Sequence, residues 1–206
     1  MKAEELNKAY KHLKKDALMK EVIKSTPPLT FSPNKNLYQS LIRAIISQQL
    51  SVKAATTIHN RFLNLFPNQD PDANIVLRLD DEHLRNCGLS YQKAGYLKNI
   101  AQFSITNGLD YRKLYRKTDE DLIAHLTQIK GVGQWTVEMI LMFSLNRPDV
   151  FPVDDLGIQN AMKKLYGLDG KGKQLHQQMI QVAEQDRKST RLNSSHSSVS
   201  RMPSSA

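Results

Sequence analysis

Residues 129–140 read IKGVGQWTVEMI, and the parsing of this stretch decides the fold. An apolar helical pattern, LIAHLTQI at 122–129, stops at a pair of glycines, and a second pattern, VEMILMFSL at 137–145, begins almost at once. Gly131 and Gly133 permit positive φ and close approach of another group to the backbone. A helix that starts directly after such a turn points its free N–H groups and the positive end of its dipole outward, a ready site for an anion. Lys130 and Gln134 flank the turn and add donors. Phosphate is the obvious anion for a basic chain, and such a contact is indifferent to base sequence.

The chain has 206 residues, with 29 Lys and Arg against 20 Asp and Glu, a net charge of +9. That length allows one domain or two small lobes around a sizeable core. The charge suits a polyanionic partner, nucleic acid or a membrane surface, and equally suits plain solubility. Cys87 is the sole cysteine, so an intrachain disulfide and a four-cysteine iron–sulfur or zinc site are excluded. The N-terminal segment MKAEELNKAYKHLKKDALMKEVIK is charged throughout and is no secretory signal. No apolar run approaches the roughly eighteen residues of a membrane span. A soluble, intracellular protein is expected.

The periodicity is helical nearly everywhere, and no clean alternation suggests strands. It predicts one amphipathic helix over 3–24, then helices over about 36–50 and 51–66, the latter capped by Ser51 and stopped by Pro67. Asp80 is the expected N-cap and Gly88 the expected C-terminal glycine of the next helix, and Ser90 caps one that closes on Gly108. Thr118 with Asp121 three residues on resembles a capping box. After the glycine turn comes a nearly all-apolar helix to about 146, and then Asp154 or Asp155 caps LGIQNAMKKLYG. A last helix covers about 173–185. These readings give an all-α protein of nine or ten short helices without a solenoid repeat. From Asp186 serine dominates and apolar residues nearly vanish, so 186–206 is expected to be disordered. DRKSTRLNSSH and SRMPSSA within it look like translated sequencing adapter rather than native sequence.

Three blocks carry a more specific signal. LTQIKGVGQWTVEM at 126–139, followed by DVFPVDDLGI at 149–158, resembles the helix-hairpin-helix (HhH-GPD) DNA glycosylase superfamily, more narrowly its 3-methyladenine DNA glycosylase II (AlkA-type) branch. LIRAIISQQLSVKAA at 41–55 and CGLSYQKAGYLKNIA at 87–101 fit that branch in the same order. The resemblance covers about residues 30–180. It implies the HhH-GPD glycosylase fold, two small helical lobes flanking a DNA-binding and active-site cleft. It makes residues 1–185 one glycosylase domain with its hairpin at 122–146. The family's C-terminal helix with a Trp-Pro-Arg-like segment does not appear, so the domain is expected to be truncated there.

The implied activity is excision of alkylated purines, of the 3-methyladenine and 7-methylguanine type, from double-stranded DNA. Asp155 takes the catalytic position, and Asp154 a capping or supporting one. A carboxylate suits this chemistry because breaking the N-glycosidic bond leaves a sugar with oxocarbenium character, which a fixed anion stabilises. The same group can orient or deprotonate water. Trp135 stands where strand-cutting members of the superfamily carry a Schiff-base lysine, which implies a monofunctional hydrolase without AP-lyase activity. Trp135 and Met139 are expected in the base pocket. There a cationic base over the indole gains on the order of 0.5–2 kcal/mol.

By the same resemblance, Gln49, with Gln48 beside it, inserts into the duplex when the base is flipped. Gly131, Gly133, Gln134, Lys130, Ser51 and Lys53 contact phosphates, and Lys93 is a further candidate. No cofactor is required. A Na+ or K+ ion at the hairpin would be held by the carbonyls of Thr127, Ile129 and Val132. A monomer that avoids membranes is expected. Two rival readings are a noncatalytic DNA-binding module that uses only the hairpin, and a glycosylase for oxidised or mismatched bases. The missing cluster cysteines and the missing lysine count against the second.

Overall fold

The computed structural model describes residues 3–28 and 34–193. Among these residues the chain is all-helical, with no strand. The helices are α1 (Ala3–Leu13), α2 (Ala17–Ser25), α3 (Leu37–Ser47), α4 (Val52–Leu63), α5 (Ala73–Arg78), α6 (Asp81–Asn86), α7 (Tyr91–Thr106), α8 (Tyr111–Tyr115), α9 (Asp119–Leu126), α10 (Gln134–Phe143), α11 (Leu156–Tyr166) and α12 (Gly172–Asn193), with a 3-10 turn at Pro67–Gln69.

Three helices exceed the sequence expectation, and one kind of residue explains all three. The predicted single helix over 3–24 is broken because Asp16 accepts hydrogen bonds from the N–H groups of Leu18 and Met19 and starts α2 afresh. Asp72 does the same for α5, and Asp110 for α8. An Asp at an N-cap satisfies donors that a helix start otherwise leaves open. The expected caps Ser51, Ser90 and Thr118 each accept a backbone N–H three residues on. Asp80 occupies the N-cap position of α6 without a side-chain cap bond.

The chain divides into two compact units. One, Pro33–Leu145, is organised around α3 and α7. Helix α7 packs on α3, α5 and α6, while α3 also takes α4 and α10, and α9 packs on α10. The apolar face of α3 is wholly buried at Leu41, Ile42, Ile45 and Ile46, which is why RAIIS-type spacing forms a helix there. Phe62 of α4 meets Phe66 edge to face, with centroids 4.9 Å apart. Helix α10 is less uniformly buried than its sequence suggests: Val137, Ile140 and Leu141 are core, whereas Phe143 is 59% exposed.

The other unit, Met1–Ser32 with Asn146–Ala206, pairs α1 with α2 and α11 with α12. Its core is Met162, Leu175 and Met179, with Phe151, Ile158 and Tyr166 against them. The Tyr166 hydroxyl donates to Asp16 Oδ2 at 3.1 Å, so the residue that starts α2 also anchors α11. Helix α12 runs on to Asn193, past the point where disorder was expected; residues 186–193 contain no glycine or proline to stop it. The rest of the adapter-like segment, 194–206, lies outside the described residues.

Candidate functional site

In the first unit the glycine turn joins α9 to α10 as the sequence suggests. Gly131 has φ +104, and its Cα faces the Tyr96 ring so closely that a side chain has no room. Gly133 differs. It is the N-cap of α10 with φ −90 and ψ 173, a conformation any residue adopts, and a Cβ there would meet nothing within 4 Å. The fold therefore does not require glycine at 133.

No side chain caps α10 either, whereas α2, α3, α4, α5, α7, α8, α9 and α11 each receive a side-chain oxygen. The first α10 amides lie behind a glycine with open space around it, the geometry of an anion site.

Around this turn the expected contacts sort themselves. Lys130 is exposed. Its carbonyl accepts the Asn99 amide at 3.1 Å. The Gln134 side chain is exposed and donates one amide hydrogen to Glu138 Oε1 at 2.9 Å, which leaves its second amide hydrogen and the backbone N–H for an anion. Trp135 and Met139 lie one helical turn apart on α10, both half-buried. Of the three carbonyls expected to hold a cation, that of Ile129 accepts the Val132 N–H at 2.9 Å, closing the turn. A set of peptide carbonyls suits a weakly held monovalent ion, and a carbonyl that accepts one N–H retains a second lone pair. Among the described residues no cluster of His, Cys, Asp or Glu could hold a metal ion.

The SQQLS segment is the turn between α3 and α4. Gln49 is exposed with φ +56, an uncommon conformation for a residue other than glycine. Gln48 does not point outward with it. Its Nε2 donates to Thr136 Oγ1 in the first turn of α10 at 3.1 Å. This bond sets Gln48 apart from the exposed Gln49, which has no such tie to α10. Ser51 Oγ accepts the Ala54 N–H as the α4 cap, which leaves its hydroxyl hydrogen for other partners, and Lys53 is exposed.

Lys93 is likewise engaged within the fold. Its ammonium is turned inward, donating to the carbonyls of Ile46 at 2.9 Å and Gln48 at 2.7 Å, and burial pushes its pKa below the ordinary lysine value. Residues this far apart in sequence gave no local signal for the contact.

In the second unit the PVDD segment opens α11. Asp155 is its N-cap: Oδ1 accepts the Ile158 N–H at 2.9 Å, and the side chain is half-buried. Asp154, expected in a capping or supporting position, does not cap the helix; it is exposed and turns to His176 of α12, with 3.6 Å between Oδ1 and Nε2. Gln159 completes the local arrangement, its Nε2 lying 3.2 Å from His176 Nε2 and donating to the Val153 carbonyl at 2.8 Å. The two aspartates are thus separated by role: one carboxylate caps α11 through the Ile158 N–H, and the other faces a histidine. Gly157, unremarked in the sequence reading, stands where an added Cβ would lie 3.0 Å from Asp155 Oδ1.

His59 and His125 are held below the ordinary histidine pKa chiefly by burial, and His125 packs edge-on against Phe103 at 5.2 Å. Among the described residues no helix is long and apolar enough to cross a membrane.

Residues 42–185 match the HhH-GPD superfamily base excision DNA repair protein family. DNA-3-methyladenine glycosylase 1 of Schizosaccharomyces pombe is 45% identical over 145 residues, 67% of this chain and 64% of that protein. The alkylbase DNA glycosidase-like protein mag2 of the same organism is 32% identical, with 82% of this chain and 83% of the relative covered. The solved structure of the Schizosaccharomyces pombe 3-methyladenine DNA glycosylase Mag1 in complex with abasic DNA superposes with a TM-score of 0.77 at 38% identity, covering 87% of this chain and 89% of that one. The chain spans just under two thirds of the length of DNA-3-methyladenine glycosylase 1.

Proposed function

The chain belongs to the HhH-GPD superfamily of base excision DNA repair proteins, and from that premise we propose that it is a DNA glycosylase that flips alkylated purines out of double-stranded DNA and hydrolyses their N-glycosidic bond. The observation that carries the reading is the Asp155 carboxylate, half-buried at the start of α11 with its Oδ1 on the Ile158 N–H. Relatives named as 3-methyladenine glycosylases support the substrate class.

In the proposed reaction the C1′–N bond breaks, its electron pair leaves with the base, and positive charge develops on the deoxyribose. Asp155 stabilises that charge. It also accepts or orients a proton of the water that adds to C1′. The products are a free base and an abasic site. A methylated purine is cationic and leaves without prior protonation, so no general acid is required. Trp135 and Met139 form the base pocket, with the indole face favouring the cationic base.

Duplex DNA is gripped through phosphate by the backbone N–H groups behind Gly133, with Gly131 shaping the turn and Lys130, Ser51 and Lys53 adding contacts. A Na+ or K+ ion on the carbonyls of Thr127, Ile129 and Val132 would add positive charge beside that phosphate. Gln49 fills the space left by the flipped base, whose unstacking costs roughly a few kcal/mol.

Trp135 offers no amine, so the product strand stays intact, without AP-lyase chemistry; a monomer is proposed as the working form. The test is base release from 7-methylguanine and 3-methyladenine DNA together with borohydride trapping. Free methylated purine, an uncut strand and no trapped adduct are expected. A covalent adduct would overturn the monofunctional assignment, and DNA binding without base release would favour the noncatalytic module.

A further inference from the structure

We propose that Lys93 is a positioning residue that holds the Gln48–Gln49 turn in the shape needed to open duplex DNA, with Gln48 tying that turn to the hairpin helix α10. The inference rests on the reading of Gln49 as the inserting residue.

Three observations carry it. First, Gln49 has φ +56 without being glycine. A residue in that region keeps its conformation only where its surroundings over-determine it. Second, the surroundings do so. The Lys93 ammonium bridges the carbonyls of Ile46 and Gln48, closing the end of α3 from below, while the Gln48 N–H returns to Ile45 O and the Leu50 N–H to Ser47 O. A cation at a helix C-terminus also favours the dipole. Third, the same helix that carries Lys93 braces the other DNA-facing turn. Tyr96 underlies Gly131, and Asn99 donates to the Lys130 carbonyl. The Gln48–Thr136 hydrogen bond joins the two turns directly. Helix α7 therefore sets both the inserting residue and the phosphate-facing amides from one rigid element.

Such a residue acts on base flipping and not on bond breaking. Its removal should penalise lesions that must be pulled from a paired stack and spare those already unpaired. The experiment compares single-turnover release of 7-methylguanine from a duplex opposite cytosine and from an unpaired bubble, for wild type, Lys93→Met, Lys93→Arg and Gln48→Leu.

Lys93→Met is expected to slow the duplex reaction about tenfold or more and the bubble reaction by less than about threefold. Lys93→Arg, which keeps a cation, should recover part of the loss. Gln48→Leu removes the tie to Thr136 without touching the ammonium, and should show the same duplex-selective loss should Lys93→Met fail to fold. Equal loss on both substrates, or none on either, would overturn the inference. Gln49→Ala on the same substrates separates the two readings. A duplex-selective loss there without one at Lys93 defeats only the positioning role, whereas no loss at Gln49 defeats the inserting role and this inference with it.

Discussion

Gly131 lies directly against the ring of Tyr96, at φ +104, so that a Cβ on this glycine would clash with the ring atoms. Its neighbour Gly133 has ordinary backbone angles and open space. Two glycines in one turn thus differ: packing within the molecule demands the first and not the second.

That contrast is testable with two alanines. Gly131→Ala should cost about 2–4 kcal/mol of folding stability, from strain at positive φ together with displacement of a packed ring. Gly133→Ala should cost less than about 1 kcal/mol. It should nevertheless weaken binding to undamaged duplex DNA by roughly three- to tenfold, because a methyl intrudes where phosphate approaches the amides. Thermal melts and a binding titration at fixed salt check both. Loss of stability at 133 with unchanged DNA affinity would remove the proposed phosphate grip.

Gly157 offers a second separation of stability from chemistry. An alanine there lies within α11 and gains about 0.5–1 kcal/mol of helical preference. Its Cβ would stand 3.0 Å from Asp155 Oδ1, and the carboxylate must shift to relieve the contact. Gly157→Ala is therefore expected to melt at or above the wild-type temperature while releasing methylated base several-fold more slowly, on the scale set by a small misplacement of a reacting group. Single-turnover rates beside a melting curve decide it; an unchanged rate would show that the carboxylate tolerates the crowding.

Much of this architecture was legible in the sequence because capping and turn chemistry are local. Ser51, Ser90 and Thr118 sit one turn before the amides they cap, and glycines mark the hairpin. Asp16, Asp72 and Asp110 use the same chemistry but went unread, since α5 and α8 have only 6 and 5 residues and show no apolar period, and α2 continues the pattern of α1. The roles of the site residues were harder where partners are distant. Asp154 and Asp155 look equivalent as caps until His176 of α12 draws Asp154 away. Gln48 reads as a twin of Gln49 until Thr136, 88 residues on, takes its amide. Lys93 reads as a solvated cation until its carbonyl partners, 45 and 47 residues earlier, are seen. The family resemblance offers Gln49 and Asp155 as candidates for insertion and catalysis; only the fold shows what holds these side chains and their turns.

The most direct measurement exploits the double duty of Asp155 as a helix cap and the proposed charge beneath the sugar. Asn caps a helix about as well as Asp, so Asp155→Asn keeps the hydrogen bond to Ile158 and removes the negative charge alone. Single-turnover release of 7-methylguanine from saturated duplex DNA should fall by at least about a hundredfold, as expected for loss of one preorganised electrostatic group, with the melting temperature and DNA affinity near wild type. Release at close to the wild-type rate by a folded, DNA-bound Asp155→Asn protein would contradict the account.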